Sequence, residues 1–283
     1  MFSNLIQPSE LAPHLGDPLW AIFDCRFYLV DAGKGEAEYE TEHLPGAIYA
    51  HLDRDLAGPK SGKNGRHPMP SVEAMTERFS RFGIDHPVQV VAYDTSQGQM
   101  AARLWWMLRY LGHDAAAVLD GGFQGWKAEG FSLASGRESR PTRSFIAQPR
   151  EWMRIDLDAL ERDRSHHLLI DARAPERFRG EVEPFDPVKG RIPGARSHPT
   201  ASSLSADGRF LPPETLRARF QSILGNRPVE SVVSYCGSGV TACHNLLAMQ
   251  VAGLPGAQLY PGSWSEWCAE DRRPIERGEE GNV

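Results

Sequence analysis

Four short segments occur twice in this chain, in the same order, and that repetition limits the folds open to it. IFDCR at 22–26 matches LIDAR at 169–173, and HLPGA at 43–47 matches RIPGA at 191–195. VVAYD at 90–94 matches VVSYC at 232–236, and GGFQGW at 121–126 matches GSWSEW at 262–267. The offsets are 147, 148, 142 and 141 residues. Chance could supply one such pair, but four in order argue for a duplicated unit. A chain of 283 residues has room for two domains of common size. The reading is a first domain at 1–138, a linker at 139–149 within the polar stretch GRESRPTRSFIAQPR, and a second domain at 150–283.

Each half alternates short apolar runs with stretches of helical period. VVAYD reads as a strand, and Ala101, Leu104, Trp105, Leu108 and Leu111 mark one face of the helix after it. AAVLDGG then reads as another strand and turn. Strand, helix and strand in this rhythm imply parallel pairing with right-handed crossovers, so the fold class is α/β, with a mainly parallel sheet flanked by helices in each half. The insert AGPKSGKNGRHPMP at 57–70 reads as a long polar loop, of a length that is uncommon without a function or disorder.

The second half carries the chemistry. In VVSYCGSGVTACHNLLAMQ, at 232–250, Val232, Val233 and Tyr235 form an apolar strand. Ala242, Cys243, Leu246, Leu247 and Val251 follow at helical spacing, and Gly253 ends the pattern. Cys236 therefore sits at the carboxyl end of a strand, with a helix about to start, where open α/β sheets bind ligands. Gly237 and Gly239 flank Ser238 and let the backbone turn tightly and come close to a ligand. Such a turn can aim successive amides at the Cys236 sulfur, and the helix N-terminus adds its positive end. Both would favour a thiolate, since cysteines in such settings fall from about 8.5 to roughly 3.5–7.5. The plainer alternative is a small core hydrophobe beside a turn that the glycines merely shape. At the matching place the first half has Asp94, which cannot be a sulfur nucleophile, so only the second half is armed.

Charge and cysteine content remove other classes. The formal net charge of -6 speaks against a broad nucleic-acid footprint. No apolar run approaches the ~20 residues needed to span a bilayer, so no membrane partner is expected. MFSNLIQPSE lacks the basic and apolar regions of a secretion signal. Four cysteines in this length are no disulfide framework, and a reducing cytoplasm suits a reactive thiol. His166 and His167 are adjacent and do not converge as a helical metal pair would, so no metal is expected. Asp171 and Arg173 read as a structural ion pair, and Cys25, Cys243 and Cys268 as residues without a catalytic partner.

On the repeated D-x-R and P-G-A segments, the closing GSWSEW and the loop Cys236-Gly237-Ser238-Gly239-Val240-Thr241, the chain resembles two-domain sulfurtransferases of the rhodanese superfamily over nearly its whole length. The loop is similar to that of the 3-mercaptopyruvate branch; the thiosulfate branch more often has basic residues directly after the cysteine. A neutral loop with a more distant cation suits a donor whose charge lies on a carboxylate several bonds from the transferred sulfur. The resemblance implies tandem rhodanese-like domains, the first catalytically silent yet supplying one wall of the cleft. It implies a Cys236 persulfide, no cofactor, a small-molecule sulfur donor, and a thiol, thioredoxin-like protein or cyanide as acceptor.

The resemblance also assigns residues. Arg177 in PERFRGE would hold the donor carboxylate, with Arg179 as the adjacent alternative; spacing alone leaves either a solvated surface arginine. Phe185 stands near the place where relatives carry a second arginine, and Arg191, where relatives have histidine, could supply that charge instead. The loop Ser238, His67 and Asp53 would form a proton relay; otherwise His67 and Asp53 are loop residues bonded to backbone. Val240 and Thr241 complete the substrate loop. The rival readings are the same enzyme with thiosulfate as donor, a non-enzymatic persulfide carrier, and a phosphatase. The last needs an arginine six positions after the cysteine, where this chain has Ala242.

Overall fold

The computed structural model describes residues 1–279. The chain divides into two compact units that do not follow chain order. One comprises 1–58, 70–150 and 206–209, the other 59–69, 151–205 and 210 onward.

In the first unit five parallel strands form one sheet: β1 (Leu5–Ile6), β2 (Trp20–Asp24), β3 (Ala47–Tyr49), β4 (Gln89–Tyr93) and β5 (Ala116–Leu119), in the order β1-β5-β4-β2-β3. The second unit has β6 (Leu168–Asp171), β7 (Arg196–Ser197), β8 (Val232–Tyr235) and β9 (Gln258–Leu259), in the order β7-β6-β8-β9, again parallel. Written from its other edge, that order reproduces β5-β4-β2-β3, so the sequence repeat is a repeat of topology. A single parallel bridge between Arg154 and Leu259 stands where β1 pairs β5. β4 and β8 are buried along their whole length, which is why both are near-continuous apolar runs rather than alternating ones.

The helices after these strands, Ala101–Tyr110 and Ala242–Val251, are covered on almost every side, beyond the single apolar face that periodicity suggests. Two polar residues inside them reach carbonyls far along the chain. Arg103 donates to the Leu56 carbonyl and Asn245 to the His198 carbonyl. The two D-x-R motifs are buried ion pairs: Arg26 meets Asp24 and Arg173 meets Asp171, each at 2.6 Å. Each ends the strand beside the chemistry-bearing one, and breaking either would leave a buried charge at a cost of about 3–5 kcal/mol.

Two segments behave differently from their composition. The polar stretch read as a linker runs along the first unit: Arg140 donates to the Pro18 and Trp20 carbonyls, Arg143 pairs with Asp85, and Phe145 packs on Phe79. The insert at 59–69, counted with the first half on sequence order, belongs to the second unit, where the Arg66 amide donates to Ser265 Oγ. No described helix is long and apolar enough to cross a membrane.

Candidate active site

β8 ends at Tyr235, and Cys236 begins the loop that leads into the helix Ala242–Val251. The loop is tied to the GSWSEW segment from both sides. The Cys236 amide donates to Ser263 Oγ at 3.1 Å, and the Cys236 carbonyl accepts from the Trp264 amide at 3.0 Å. Ser265 N–H donates to the Gly237 carbonyl at 2.9 Å. Ser263 reaches this place through a left-handed backbone (φ 55°), which a non-glycine residue adopts only under constraint. Gly239 lies at φ 75°, and a Cβ there would stand 2.1 Å from the Pro261 carbonyl oxygen. Gly239→Ala is therefore expected to lose about 2–3 kcal/mol of stability in urea unfolding, because backbone would have to yield.

These ties take up the Cys236 amide and the carbonyls of Cys236 and Gly237. Among the described residues, the N–H groups of Gly237, Ser238, Val240 and Thr241 donate to no protein acceptor. The equivalent loop of the first unit shows what such amides want. There the Asp94 carboxylate accepts from the amides of Ser96 (2.8 Å), Gly98 (2.9 Å), Met100 (2.7 Å) and Ala101 (2.8 Å). Burial pushes the Asp94 carboxyl up, and the four N–H bonds work against that rise. One loop thus fills its amides with a carboxylate, and the other has a cysteine where that carboxylate stands.

Cys236 is 1% exposed, so the sulfur is covered rather than open to solvent. Cys25, Cys243 and Cys268 are buried as well, and none of the four is in a disulfide. Burial raises the Cys25 thiol well above its usual range and Cys268 to about 11, so both stay protonated. Among the described residues no cluster of three or more metal-ligating side chains occurs.

Ser238 and His67 meet, with the hydroxyl 2.7 Å from the imidazole Nδ1, both nearly buried. Asp53 belongs to the first unit and opens the short helix Leu52–Asp55, where its amide donates to His51 Nδ1 at 3.1 Å. Val240 is buried and Thr241 precedes the first turn of the helix.

Arg177 lies against the loop. Its Nη2 would be 3.1 Å from a Cβ on Gly237. Arg179, the adjacent alternative, is turned onto Glu181 and Glu279. Arg191 corrects the sequence expectation: it is fully buried, and its guanidinium goes to Glu276 and to the carbonyls of Gly278 and Glu279. It fastens the C-terminal segment and has no charge to offer a substrate. The second cation at the loop is Arg66, which sequence reasoning passed over; its Nη2 would be 2.8 Å from a Cβ on Gly237. The guanidinium carbons of Arg66 and Arg177 stand 5.2 and 5.3 Å from the Phe185 ring centroid. The Phe185 ring thus serves as a platform for both arginines. Beneath them lie Glu183 and Asp186; burial pushes the Asp186 carboxyl up, although Arg66 and Arg177 pull it down.

Duplicated parallel α/β units, with Cys236 after β8 where the first unit has Asp94 after β4, define a tandem α/β protein. The Rhodanese-like domain family matches at residues 7–129 and again at 155–270. Two curated relatives, both named provisionally, span the chain. A 3-mercaptopyruvate sulfurtransferase of Pseudomonas aeruginosa is 46% identical over 98% of this chain and 99% of its own length. A thiosulfate sulfurtransferase, SseB, of Mycobacterium tuberculosis is 39% identical over 97% of each. The solved 3-mercaptopyruvate sulfurtransferase of Leishmania major superposes with a TM-score of 0.86 at 34% identity, covering 96% of this chain and 76% of that one. This chain belongs to the rhodanese superfamily, as a two-domain member similar to the 3-mercaptopyruvate sulfurtransferases.

Proposed function

We propose that this protein is an enzyme that moves sulfur from 3-mercaptopyruvate to a thiol acceptor through a persulfide on Cys236. The observation that carries the reading is the contrast between the two strand-end loops. After β4 the Asp94 carboxylate takes up four loop amides, whereas the loop after β8 has Cys236 in that place and leaves the N–H groups of Gly237, Ser238, Val240 and Thr241 without a protein acceptor among the described residues. Such amides stabilise a thiolate and then the persulfide anion.

The Cys236 thiolate attacks the donor sulfur, the S–S bond forms, and the bond from sulfur to carbon breaks. The electron pair leaves on carbon as the enolate of pyruvate. Ser238 delivers a proton to that carbon and recovers one from His67, and pyruvate departs. Arg177 and Arg66 hold the donor carboxylate, which explains why the loop after Cys236 can stay neutral. An acceptor thiolate, such as a small thiol or a reduced thioredoxin-like protein, or cyanide, then takes the outer sulfur and restores Cys236. Two half-reactions predict ping-pong kinetics. A reducing compartment such as the cytoplasm suits a site that depends on a reduced thiol.

Thiosulfate as preferred donor is the second reading, favoured by the two arginines at the loop and by the name of the mycobacterial relative. Measuring kcat/KM for both donors separates them: a higher value for mercaptopyruvate is expected, and the reverse order would establish the second reading. Arg177→Ala is expected to lower kcat/KM for mercaptopyruvate by about 10–100-fold, the scale of one charge-assisted hydrogen bond, chiefly through KM.

A further inference from the structure

We infer that Asp186 is a specificity-determining residue, whose buried negative charge limits the positive field at the loop so that a monoanionic donor is preferred over a dianionic one. The inference rests on the functional reading above and concerns the same site.

The two arginines at Gly237 are held in the same way. Arg66 turns its Nε–Nη2 edge onto Asp186, at 2.9 and 3.3 Å. Arg177 turns its Nε–Nη2 edge onto Glu183, at 3.1 and 2.6 Å, and its Nη2 also lies 3.7 Å from Asp186. Neither pair uses Nη1, so each guanidinium keeps one donor nitrogen outside its ion pair. The carboxylates are deeper than the cations they hold: Glu183 and Asp186 side chains are 1% and 2% exposed, against 15% for Arg177 and 24% for Arg66. Glu183 also serves Arg173 at 3.2 Å, and Arg173 is in turn paired with Asp171.

The charges of this cluster cancel. Arg66, Arg173 and Arg177 face Asp171, Glu183 and Asp186. A neutral cluster with two guanidinium nitrogens outside its ion pairs can hold one carboxylate by hydrogen bonds. It offers no surplus charge for the second negative charge of thiosulfate. Glu183 and Asp171 are shared with Arg173 and brace the domain, whereas Asp186 contacts only the two loop arginines among these cations. Asp186 is therefore the place where the field can be changed with the least disturbance. Removing one buried negative charge a few ångströms from the donor favours a dianion over a monoanion, because the gain scales with donor charge.

The test compares kcat/KM for thiosulfate and 3-mercaptopyruvate in wild type, Asp186→Asn, Asp186→Ser and Asp186→Glu, each checked for native circular dichroism. In the two neutral variants the thiosulfate to mercaptopyruvate ratio should rise by about tenfold, mainly through the thiosulfate KM. Asp186→Glu should keep the wild-type ratio. Equal losses on both donors, or a ratio that does not move in whichever neutral variant folds, would overturn the inference and leave Asp186 a mere brace for Arg66. Should neither neutral variant fold, an unchanged ratio between Asp186→Glu and wild type supports the charge assignment, and a changed one overturns it. Should wild type ignore mercaptopyruvate, the functional reading fails by itself. Asp186 is then judged on thiosulfate alone: a rise supports its role and no rise removes it.

Discussion

Cys236→Ser is expected to lose sulfur transfer by at least about 10³-fold with either donor, the scale on which removal of a covalent nucleophile acts. The substitution changes little else. The Cys236 amide and carbonyl are held by Ser263 and Trp264 through backbone groups that serine also has, and the side chain is already buried in a small space. Unfolding by urea should therefore stay close to wild type, so the loss can be assigned to chemistry. A hydroxyl at this position stays protonated where a thiol can ionise, and it cannot form the S–S bond that stores the transferred atom. Cys25 and Cys268 offer no substitute, since burial keeps both protonated. A serine variant that retained most of its turnover would remove the central assignment.

Ser238→Ala should lower kcat for mercaptopyruvate by about 10²-fold or more, as expected when a positioned acid is removed from a carbon protonation. The same variant should leave thiosulfate turnover nearly unchanged. Sulfite leaves thiosulfate as a stable anion and requires no proton on carbon, whereas the enolate of pyruvate does. The buried 2.7 Å contact between Ser238 and His67 is the structural ground for the difference. His67→Gln should follow the same split, and its effect should not add to that of Ser238→Ala, because the two act as one unit. Equal losses with both donors would instead mean that Ser238 shapes the loop for any anion.

Much of this was legible in the sequence, for identifiable reasons. The repeat is carried by residues whose roles are local: the D-x-R pair bonds within two residues of itself, and the apolar strands are buried whatever surrounds them. The strand, the thiol, two glycines and a helix start could be read together because they are contiguous. What escaped is what folding brings from elsewhere. Arg66 lies in an insert that looks like any solvated polar loop, and it reaches Gly237 across more than a hundred residues of sequence. Ser263 reads as a small residue in an aromatic segment, and only its left-handed backbone makes it a support for the Cys236 amide. Arg191 looked like an available cation, yet its burial follows from acceptors in a segment some eighty-five residues later. The linker stretch has the composition of a loose connection, but its arginines find carbonyls on the first unit. Long-range hydrogen bonds of arginine leave no periodicity, so pattern reading has nothing to detect.

The most direct measurement is intact and peptide mass spectrometry of the purified protein after 3-mercaptopyruvate is added and no acceptor is present. The account predicts one extra sulfur atom per chain, located on the peptide holding Cys236 and removed by a thiol or cyanide. Pyruvate released without any sulfur retained on Cys236 would contradict it.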